Sequence, residues 1–286
     1  MSKLTTINIE KFSTERKIIS YMTTKSWQTI PHVSYMYEPD ITNFIDEFKK
    51  LKEEDKSLKN VSINSLMLKV FSEGLKFAPK LNAHISYDQS TGEGEIHTIK
   101  DINVNMPWIL PSGKMMTISI NNIEEMSLYE INKYIKDLNK KISSIDSESL
   151  SKSFSDKINY NIINSIISGE HEISEDKNED KSKVPLEIGT ITISNIGSTY
   201  REQRGAIALL DIIPPQVCVI GFGAILEKPG VYIDENGEKA IGIRKVLPIC
   251  LAFDHRALDF GEIIPFIKKL DSIFENPNTK KFLIIL

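Results

Sequence analysis

The sequence predicts an α/β protein in which one mixed β-sheet is flanked by helices. Segments with apolar residues at helical spacing alternate with short runs rich in β-branched residues, and this alternation favours strands and helices that share a core. With 286 residues, of which 41% are apolar, the chain can bury a large core. We find no internal repeat, and we expect a single domain over residues 1–286.

The first part of the chain predicts three helices and one strand. Residues 14–27 place apolar side chains on one side of a helix, and residues 32–37 alternate as a strand does. Asp40 can cap the next helix, and a third helix over residues 64–78 is stopped by Pro79. The second helix carries its apolar stripe on Ile41, Phe44, Ile45, Phe48 and Leu51.

The middle of the chain predicts short strands, a capped helix and a charged insertion. Ser127 and Glu130 form a capping box that opens a helix reaching about Ser144. Serine, lysine and acidic residues dominate residues 145–187, which predicts a mobile loop with an amphipathic helix near 156–167. The strands are expected at residues 83–88, 95–99, 102–110 and 115–120.

The C-terminal part is rich in strands and ends with a helix. Asn236-Gly237 predicts the turn of a hairpin, and the last helix begins near Gly261 with Pro265 in its first turn. The strands are expected at residues 190–196, 217–226, 240–243 and 247–253. The helix is expected to bury Ile264, Ile267, Leu270 and Phe274.

Charge and hydropathy exclude several classes of protein. A formal net charge of −4, with no basic cluster that includes aromatic residues, argues against a nucleic-acid surface. The N-terminus has no apolar signal segment and no run is apolar enough to span a bilayer, so we expect a cytoplasmic protein with no membrane partner. Cys218 and Cys250 lie in apolar runs, which predicts buried reduced thiols. The sequence has no close Cys/His pairing of the zinc-site type, so we expect no metal site.

The segment 251–259 carries the strongest chemical signal. An apolar strand delivers His255 directly after Asp254, and Asp259 follows four residues later. Histidine can accept and return a proton near neutral pH, and a neighbouring carboxylate can fix its tautomer. A helical turn beginning at the histidine would place Asp259 on the same face. The alternative is a polar turn whose carboxylates only cap the final helix.

A second candidate is Ser194, at the end of a strand of β-branched residues and before an Asn-Gly-containing turn. A hydroxyl fixed at a strand end can donate a hydrogen bond to a developing oxyanion. An ordinary polar strand face would look the same. No G-x-S-x-G elbow surrounds this serine, which argues against the nucleophile of an α/β-hydrolase.

Several motifs in one order resemble a known family, the catalytic domain of the dihydrolipoamide acyltransferases of 2-oxo acid dehydrogenase complexes. The resemblance covers most of the chain and implies a chloramphenicol acetyltransferase-like two-layer sandwich. The motifs that carry it are RKIISYM at 16–22, SWQTIPHV at 26–33, LNA at 81–83, TISNIG at 192–197, PPQ at 214–216, GFGA at 221–224 and Asp254-His255-Arg256 with Asp259.

The resemblance implies an acyltransferase with coenzyme A or acyl-CoA as substrate. His255 would be the general base for a dihydrolipoyl-type thiol or another small acceptor, and Ser194 would hydrogen-bond the tetrahedral oxyanion. Asp259 would be a structural carboxylate holding the histidine loop through an arginine such as Arg16. These residues would meet between subunits of a homotrimer, and the apolar tail 282–286 could join trimers into a larger cage.

Three departures from the family pattern leave an alternative open, a non-catalytic trimeric scaffold. The family's glycine after the aspartate is replaced by Phe260, and residues 113–120 differ from the family's channel segment. The insertion at 145–187 has no evident family counterpart. We also find no lipoyl or partner-binding domain, so we expect no covalently bound lipoyl group on this chain and a separate lipoyl-carrying protein.

Overall fold

A computed structural model describes residues 5–109, 115–144 and 189–275. The helices are α1 (Thr14–Thr29), α2 (Thr42–Glu54), α3 (Ile63–Phe77), α4 (Leu128–Ser144) and α5 (Phe260–Glu275). The strands are β1 (His32–Tyr37), β2 (Ala83–Tyr87), β3 (Gly94–Thr98), β4 (Val104–Ile109), β5 (Met115–Ile120), β6 (Ile191–Asn195), β7 (Cys218–Phe222), β8 (Leu226–Ile233), β9 (Lys239–Val246) and β10 (Ile249–Asp254).

One six-stranded mixed sheet organises the fold, with strand order β1-β10-β7-β6-β4-β5. The three strands β7, β6 and β4 run parallel, whereas the remaining neighbours in this sheet are antiparallel. Two separate hairpins, β2–β3 and β8–β9, complete the described strands. This arrangement confirms the predicted α/β fold with a mixed sheet flanked by helices.

The main core lies between the sheet and helices α2 to α5. Phe71 of α3 packs its ring against Phe222 of β7 and Phe266 of α5. A Cβ at Gly74 would come 2.7 Å from the ring of Phe266, so the close approach of α3 and α5 depends on this glycine. Ile191 belongs to the same core, and strand alternation therefore directs its neighbours on β6 to the opposite face.

A smaller apolar cluster lies apart from the main core. It consists of Ile30, Ile212, Val219 and Ala252, with Leu209 and Leu210 packed against it. Val219 and Ala252 are register partners on β7 and β10, so this cluster covers part of the main sheet. The irregular segment before β7 therefore packs onto the sheet, and this packing positions parts of the candidate site.

Most of the predicted elements are confirmed. The capping box at α4 is reciprocal, because the Ser127 amide donates to Glu130 Oε2 at 2.8 Å and the Glu130 amide donates to Ser127 Oγ at 3.2 Å. The N-cap position of α2 is Ile41, and the predicted cap Asp40 lies one residue earlier, where it accepts a hydrogen bond from the Thr42 amide at 2.9 Å. Pro79 follows α3 as expected and begins a short 3₁₀ helix.

Two predictions at the C-terminal end were wrong. The predicted strand 217–226 is divided, since β7 ends at Phe222 and a long strand, β8, begins at Leu226. Pro229 and Gly230 disfavour strand formation, yet both lie in β8, which belongs to an isolated two-stranded hairpin. In α5, Ile263 is fully buried and the predicted core residue Ile264 is 37% exposed.

Three predictions lie outside the described residues. They are the charged loop at 145–187, its embedded helix at 156–167, and the apolar tail at 282–286. In the part of the chain that the structure describes, no helix combines the length and apolar character needed to cross a membrane.

Candidate active site

The turn after β10 holds His255 by backbone hydrogen bonds. The His255 amide donates to the carbonyl of Pro31 at 3.0 Å, and this carbonyl lies at the junction of α1 and β1. The amides of Ala257 and Leu258 both donate to the Asp254 carbonyl at 3.0 Å. These hydrogen bonds fix the backbone position of His255 and therefore the point from which its imidazole extends.

The surroundings of the imidazole determine its tautomer. His255 Nδ1 lies 3.1 Å from the carbonyl oxygen of Leu258 and 3.3 Å from Asp259 Oδ1. A carbonyl oxygen can only accept, so Nδ1 carries the proton and donates it. In the neutral ring the lone pair is therefore on Nε2. The imidazole is 50% exposed and can meet a solute from outside the chain.

A fully buried carboxylate anchors the same turn. Asp254 is 0% exposed, and the guanidinium of Arg256 contacts both of its oxygens, with Nε at 3.0 Å and Nη2 at 2.6 Å. The Arg256 amide also donates to Asp254 Oδ1 at 2.9 Å. The ring of Tyr87 lies under the guanidinium, 5.1 Å from its centroid. The guanidinium thus compensates the buried charge, and its removal would leave an unpaired carboxylate inside the turn.

These contacts differ from the arrangement expected for Asp259. The side chain of Asp259 is 82% exposed, and its Oδ1 lies 3.3 Å from His255 Nδ1. Over the described ranges, no ion pair joins it to Arg16, whose amide is bonded to Ser13 Oγ at the start of α1. The arginine-bound carboxylate of this turn is Asp254. The close spacing of an aspartate and an arginine two residues apart was the sequence signal for this pair.

Ser194 is half-buried near the end of β6, where its surroundings are well fixed. The next residue, Asn195, donates from Nδ2 to Asn64 Oδ1 at 2.9 Å and accepts from the Ser198 amide at 3.0 Å. A Cβ at Gly197 would meet the Gly223 backbone at 2.5 Å, so the turn that follows the serine packs backbone against backbone.

The structure does not bring Ser194 and His255 together within one chain. Ser194 aligns with Gly221 of β7, which aligns with Cys250 of β10. His255 is five residues beyond that cysteine, which corresponds to about 16 Å along the strand direction. The serine lies at one end of the sheet and the histidine at the other. An assembly of several copies can place the serine end of one chain beside the histidine end of another.

A second histidine, His32, clamps a segment beside the His255 turn. Its Nδ1 lies 2.8 Å from the carbonyl of Ile30, and its Nε2 accepts from the Ile212 amide at 3.1 Å. Ser26 Oγ donates to the Ile212 carbonyl at 2.6 Å, and the ring of Trp27 stacks on the imidazole at 5.2 Å. Both ring nitrogens are committed to the backbone, so this histidine is structural. This role was not predicted from the sequence.

The clamped segment also reaches toward the serine end of the sheet. A Cβ at Gly221 would come 2.4 Å from Leu210 Cδ1, so Leu210 covers this glycine. Gly221 is the register partner of Ser194. Residues 210–212 therefore run from the neighbourhood of the serine to that of His32.

The two cysteines are not candidates for the nucleophile. Cys218 and Cys250 are free and buried, as predicted. Burial raises the pKa of Cys250 to about 11 and also raises the pKa of Cys218. Both thiols are protonated near neutral pH, and a protonated thiol is a poor nucleophile.

Most of the chain matches a single protein family. The family described as 2-oxoacid dehydrogenases acyltransferase (catalytic domain) matches residues 5–151 and 159–281. This match includes most of the insertion predicted at 145–187.

The curated relatives are acetyltransferase components of pyruvate dehydrogenase complexes. The dihydrolipoyllysine-residue acetyltransferase component of the pyruvate dehydrogenase complex from Corynebacterium glutamicum is 26% identical over 272 residues, covering 94% of this chain and 34% of the relative. Its counterpart from Rickettsia conorii is 24% identical over 267 residues, covering 92% of this chain and 52% of the relative. The chain thus spans about a third to a half of the length of these relatives.

Solved structures share the fold. A probable dihydrolipoamide acetyltransferase from Listeria monocytogenes has a TM-score of 0.65 at 20% identity, with 94% of each chain covered. A dihydrolipoamide acetyltransferase from Azotobacter vinelandii has a TM-score of 0.65 at 19% identity, covering 99% of this chain and 100% of that one. The Azotobacter vinelandii structure was solved to investigate the roles of a serine, a histidine and an asparagine in the catalytic mechanism. The histidine and the asparagine are four positions apart.

Proposed function

Because the chain belongs to the 2-oxoacid dehydrogenases acyltransferase (catalytic domain) family, we propose that it transfers an acyl group between coenzyme A and an acceptor thiol. The acceptor is a dihydrolipoyl-type thiol or another small molecule. The observation that carries the proposal is the fixed tautomer of His255, because donation from Nδ1 to Leu258 leaves Nε2 free to accept a proton.

In the proposed reaction, His255 Nε2 removes the proton of the acceptor thiol. A free thiol has a pKa of about 8.5 and is mostly protonated near neutral pH, so a positioned base increases its reactivity. The resulting thiolate attacks the carbonyl carbon of the acyl-CoA thioester. The proton remains on the imidazolium, which Asp259 attracts from the Nδ1 side.

Ser194 stabilises the intermediate that forms when the thiolate attacks the thioester. Attack on the thioester produces a tetrahedral intermediate whose carbonyl oxygen becomes an oxyanion, and the Ser194 hydroxyl donates a hydrogen bond to it. Such a donor typically contributes about 3 kcal/mol to the transition state. When the intermediate collapses, the bond to the coenzyme A sulfur breaks and the imidazolium returns its proton to that sulfur.

Asp259 is proposed as a positioning residue that acts through His255. It lies four residues after the histidine, the same separation as between the histidine and the asparagine studied in the Azotobacter vinelandii protein. An asparagine can accept a hydrogen bond from Nδ1 as an aspartate does, but it carries no charge. Because Asp259 is largely exposed, solvent screens most of its charge effect.

A homotrimer is the assembly that this mechanism favours. Ser194 and His255 lie at opposite ends of the sheet, and a cyclic assembly lets the histidine end of one copy approach the serine end of the next. The cubic core of a pyruvate dehydrogenase complex shares the fold, with a TM-score of 0.66 at 18% identity. A larger cage built from trimers is the corresponding proposal for this chain.

The remaining parts of the proposal concern organisation and partners. Residues 1–286 would act as one catalytic domain with a charged insertion at 145–187, in accord with the extent of the family match. The lipoyl group would be presented to the site by a lipoyl-carrying domain. Two free buried thiols accord with a reducing cytoplasm.

One reason to consider a non-catalytic scaffold was that Phe260 replaces the family's glycine. The backbone conformation at this position does not support that alternative. Positive φ angles occur, among the described residues, at Asn122, Gly92 and Gly237. Phe260 therefore occupies an ordinary conformation that needs no glycine. Its ring packs on Tyr35 at 5.2 Å at the start of α5.

A screen of acyl-CoA thioesters with free dihydrolipoamide tests the proposal. We expect release of the coenzyme A thiol that requires both the thioester and the acceptor. A folded, trimeric protein that releases no thiol from any acyl-CoA, with dihydrolipoamide or with amine and hydroxyl acceptors, would favour the scaffold instead.

A further inference from the structure

A cleft of about 200 Å³ lies on the Arg256 side of the histidine turn. It is bounded by the C-terminal end of α1, the β2–β3 hairpin and the segment before β7. The mechanism proposed above makes no use of it. The polar residues of interest in its lining are Lys25, Tyr87, Gln89, Gln216 and Arg256.

The guanidinium of Arg256 is held rigidly at this cleft. Asp254 fixes Nε and Nη2, and the ring of Tyr87 supports one face of the group. In the described part of the chain, no residue accepts a hydrogen bond from Nη1. A planar guanidinium fixed on one edge and one face presents its remaining N–H groups in a defined direction, which suits a carboxylate or a phosphate.

The charge of the cleft is positive. Asp254 neutralises Arg256, so the unbalanced charge comes from Lys25, which is half-buried on α1. No described residue forms an ion pair with Lys25, and none of the described lining residues is acidic. A half-buried cation without a counter-ion favours an anionic ligand, since the partly dry surroundings screen their attraction less than bulk water does.

We propose that this cleft binds an anionic group of the thioester substrate, either a carboxylate or a phosphate monoester. The inference rests on the proposed acyltransferase function. Arg256 directly follows His255 in the chain, so the cleft adjoins the turn that carries the proposed base. The carboxylate would come from a dicarboxylic acyl chain, and the phosphate would come from the 3′-phosphate of coenzyme A.

Isothermal titration calorimetry on the full chain, without an acceptor thiol, tests this site independently of turnover. Two matched pairs of ligands separate the sources of the anion: succinyl-CoA with butyryl-CoA, and coenzyme A with dephospho-coenzyme A. The variant is Lys25→Met, and the matched control is Lys17→Met, which removes a charge from the exposed part of the same helix. Circular dichroism establishes that both variants are folded.

Loss of a charge-assisted contact predicts that Lys25→Met weakens, by about tenfold, binding of those ligands that carry the recognised anion: succinyl-CoA alone for a carboxylate site, and every ligand except dephospho-coenzyme A for a phosphate site. Selective weakening of succinyl-CoA over butyryl-CoA would assign the cleft to the acyl carboxylate. Selective weakening of coenzyme A over its dephospho form would assign it to the 3′-phosphate. Lys17→Met should bind all four ligands as the wild type does.

The proposal is overturned if Lys25→Met binds all four ligands as tightly as the wild type. Equal weakening of all four ligands would also overturn it, because the lysine would then not recognise the anionic group. Either result leaves the acyltransferase proposal standing, provided that the wild type releases thiol in the acyl-CoA screen. If the wild type binds the anionic ligands selectively but releases no thiol, the binding site is supported and the proposed acyl transfer is contradicted.

Discussion

The Nδ1 atom of His255 lies 3.1 Å from the carbonyl oxygen of Leu258, three residues further along the same turn. This contact fixes the proton on Nδ1 and leaves Nε2 as the basic nitrogen. The turn therefore presents the neutral histidine in the tautomer that a general base acting through Nε2 requires. The contact depends on the turn and not on the assembly, so each copy carries its own base.

Replacement of the base should remove activity without unfolding the protein. General-base catalysis typically contributes at least about 100-fold, so His255→Ala should lower the rate of thiol release from acyl-CoA by that factor or more. The control is His97→Ala, at an exposed histidine on β3. Equal rates for wild type and His255→Ala, measured with a thiol-reactive dye, would contradict the assignment.

The buried carboxylate of the turn should be important for stability. Asp254→Ala leaves the guanidinium of Arg256 without its buried partner, and breaking such a pair costs about 3 kcal/mol. Urea denaturation monitored by circular dichroism measures this change. Asp259→Ala is the control, since its side chain is exposed and the change should stay within about 0.5 kcal/mol. Equal destabilisation by the two changes would contradict the anchoring role of Asp254.

The His32 clamp predicts a dependence on hydrogen-bonding groups at that position. His32→Ala leaves the Ile212 amide without its acceptor, which should lower the free energy of unfolding by about 1–3 kcal/mol. An asparagine offers both a donor and an acceptor, so His32→Asn should restore part of the loss. Hydrogen exchange at the Ile212 amide should be faster in the alanine variant. Unchanged exchange would show that the segment is held in another way.

Cys250 predicts a loss of stability in alkali. Burial raises its pKa from 9.0 to about 11, so the unfolded chain releases the proton at lower pH than the folded chain does. The stabilisation is complete below pH 9 and decreases as pH rises from 9 toward 11, by up to about 1.4 kcal/mol per pH unit. Cys250→Ala should reduce this slope in urea titrations at pH 8, 9 and 10. An unchanged slope would exclude this thiol as its source.

Local interactions explain the parts of the fold that could be predicted. The Ser127–Glu130 box involves groups within one turn of helix, so a short sequence pattern specifies it. The hairpin strand β8 was missed because Pro229 and Gly230 disfavour strands, and the long pairing with β9 outweighs that local preference. The choice between Ile263 and Ile264 as core residues of α5 depends on how the whole helix rotates against α3.

The residues of the candidate site were predicted from the sequence, but their relative positions were predicted only in part. His255 and Ser194 were identified from their motifs, but their separation by the sheet depends on the pairing of β6, β7 and β10, which are distant in sequence. The clamp by His32 joins the start of β1 to a segment about 180 residues away, and no local pattern signals such a contact. The relative placement of these residues therefore depends on long-range contacts, which short sequence motifs do not specify.

Subunit mixing tests the central claim that each site combines His255 of one copy with Ser194 of another. Ser194→Ala alone should lower the rate about 100-fold or more, as loss of an oxyanion donor does. When the two inactive variants, Ser194→Ala and His255→Ala, exchange subunits at equal amounts, about one interface in four regains both residues. We predict recovery to roughly that fraction of the wild-type rate of thiol release. No recovery after subunit exchange has been verified by mass spectrometry would contradict the shared site.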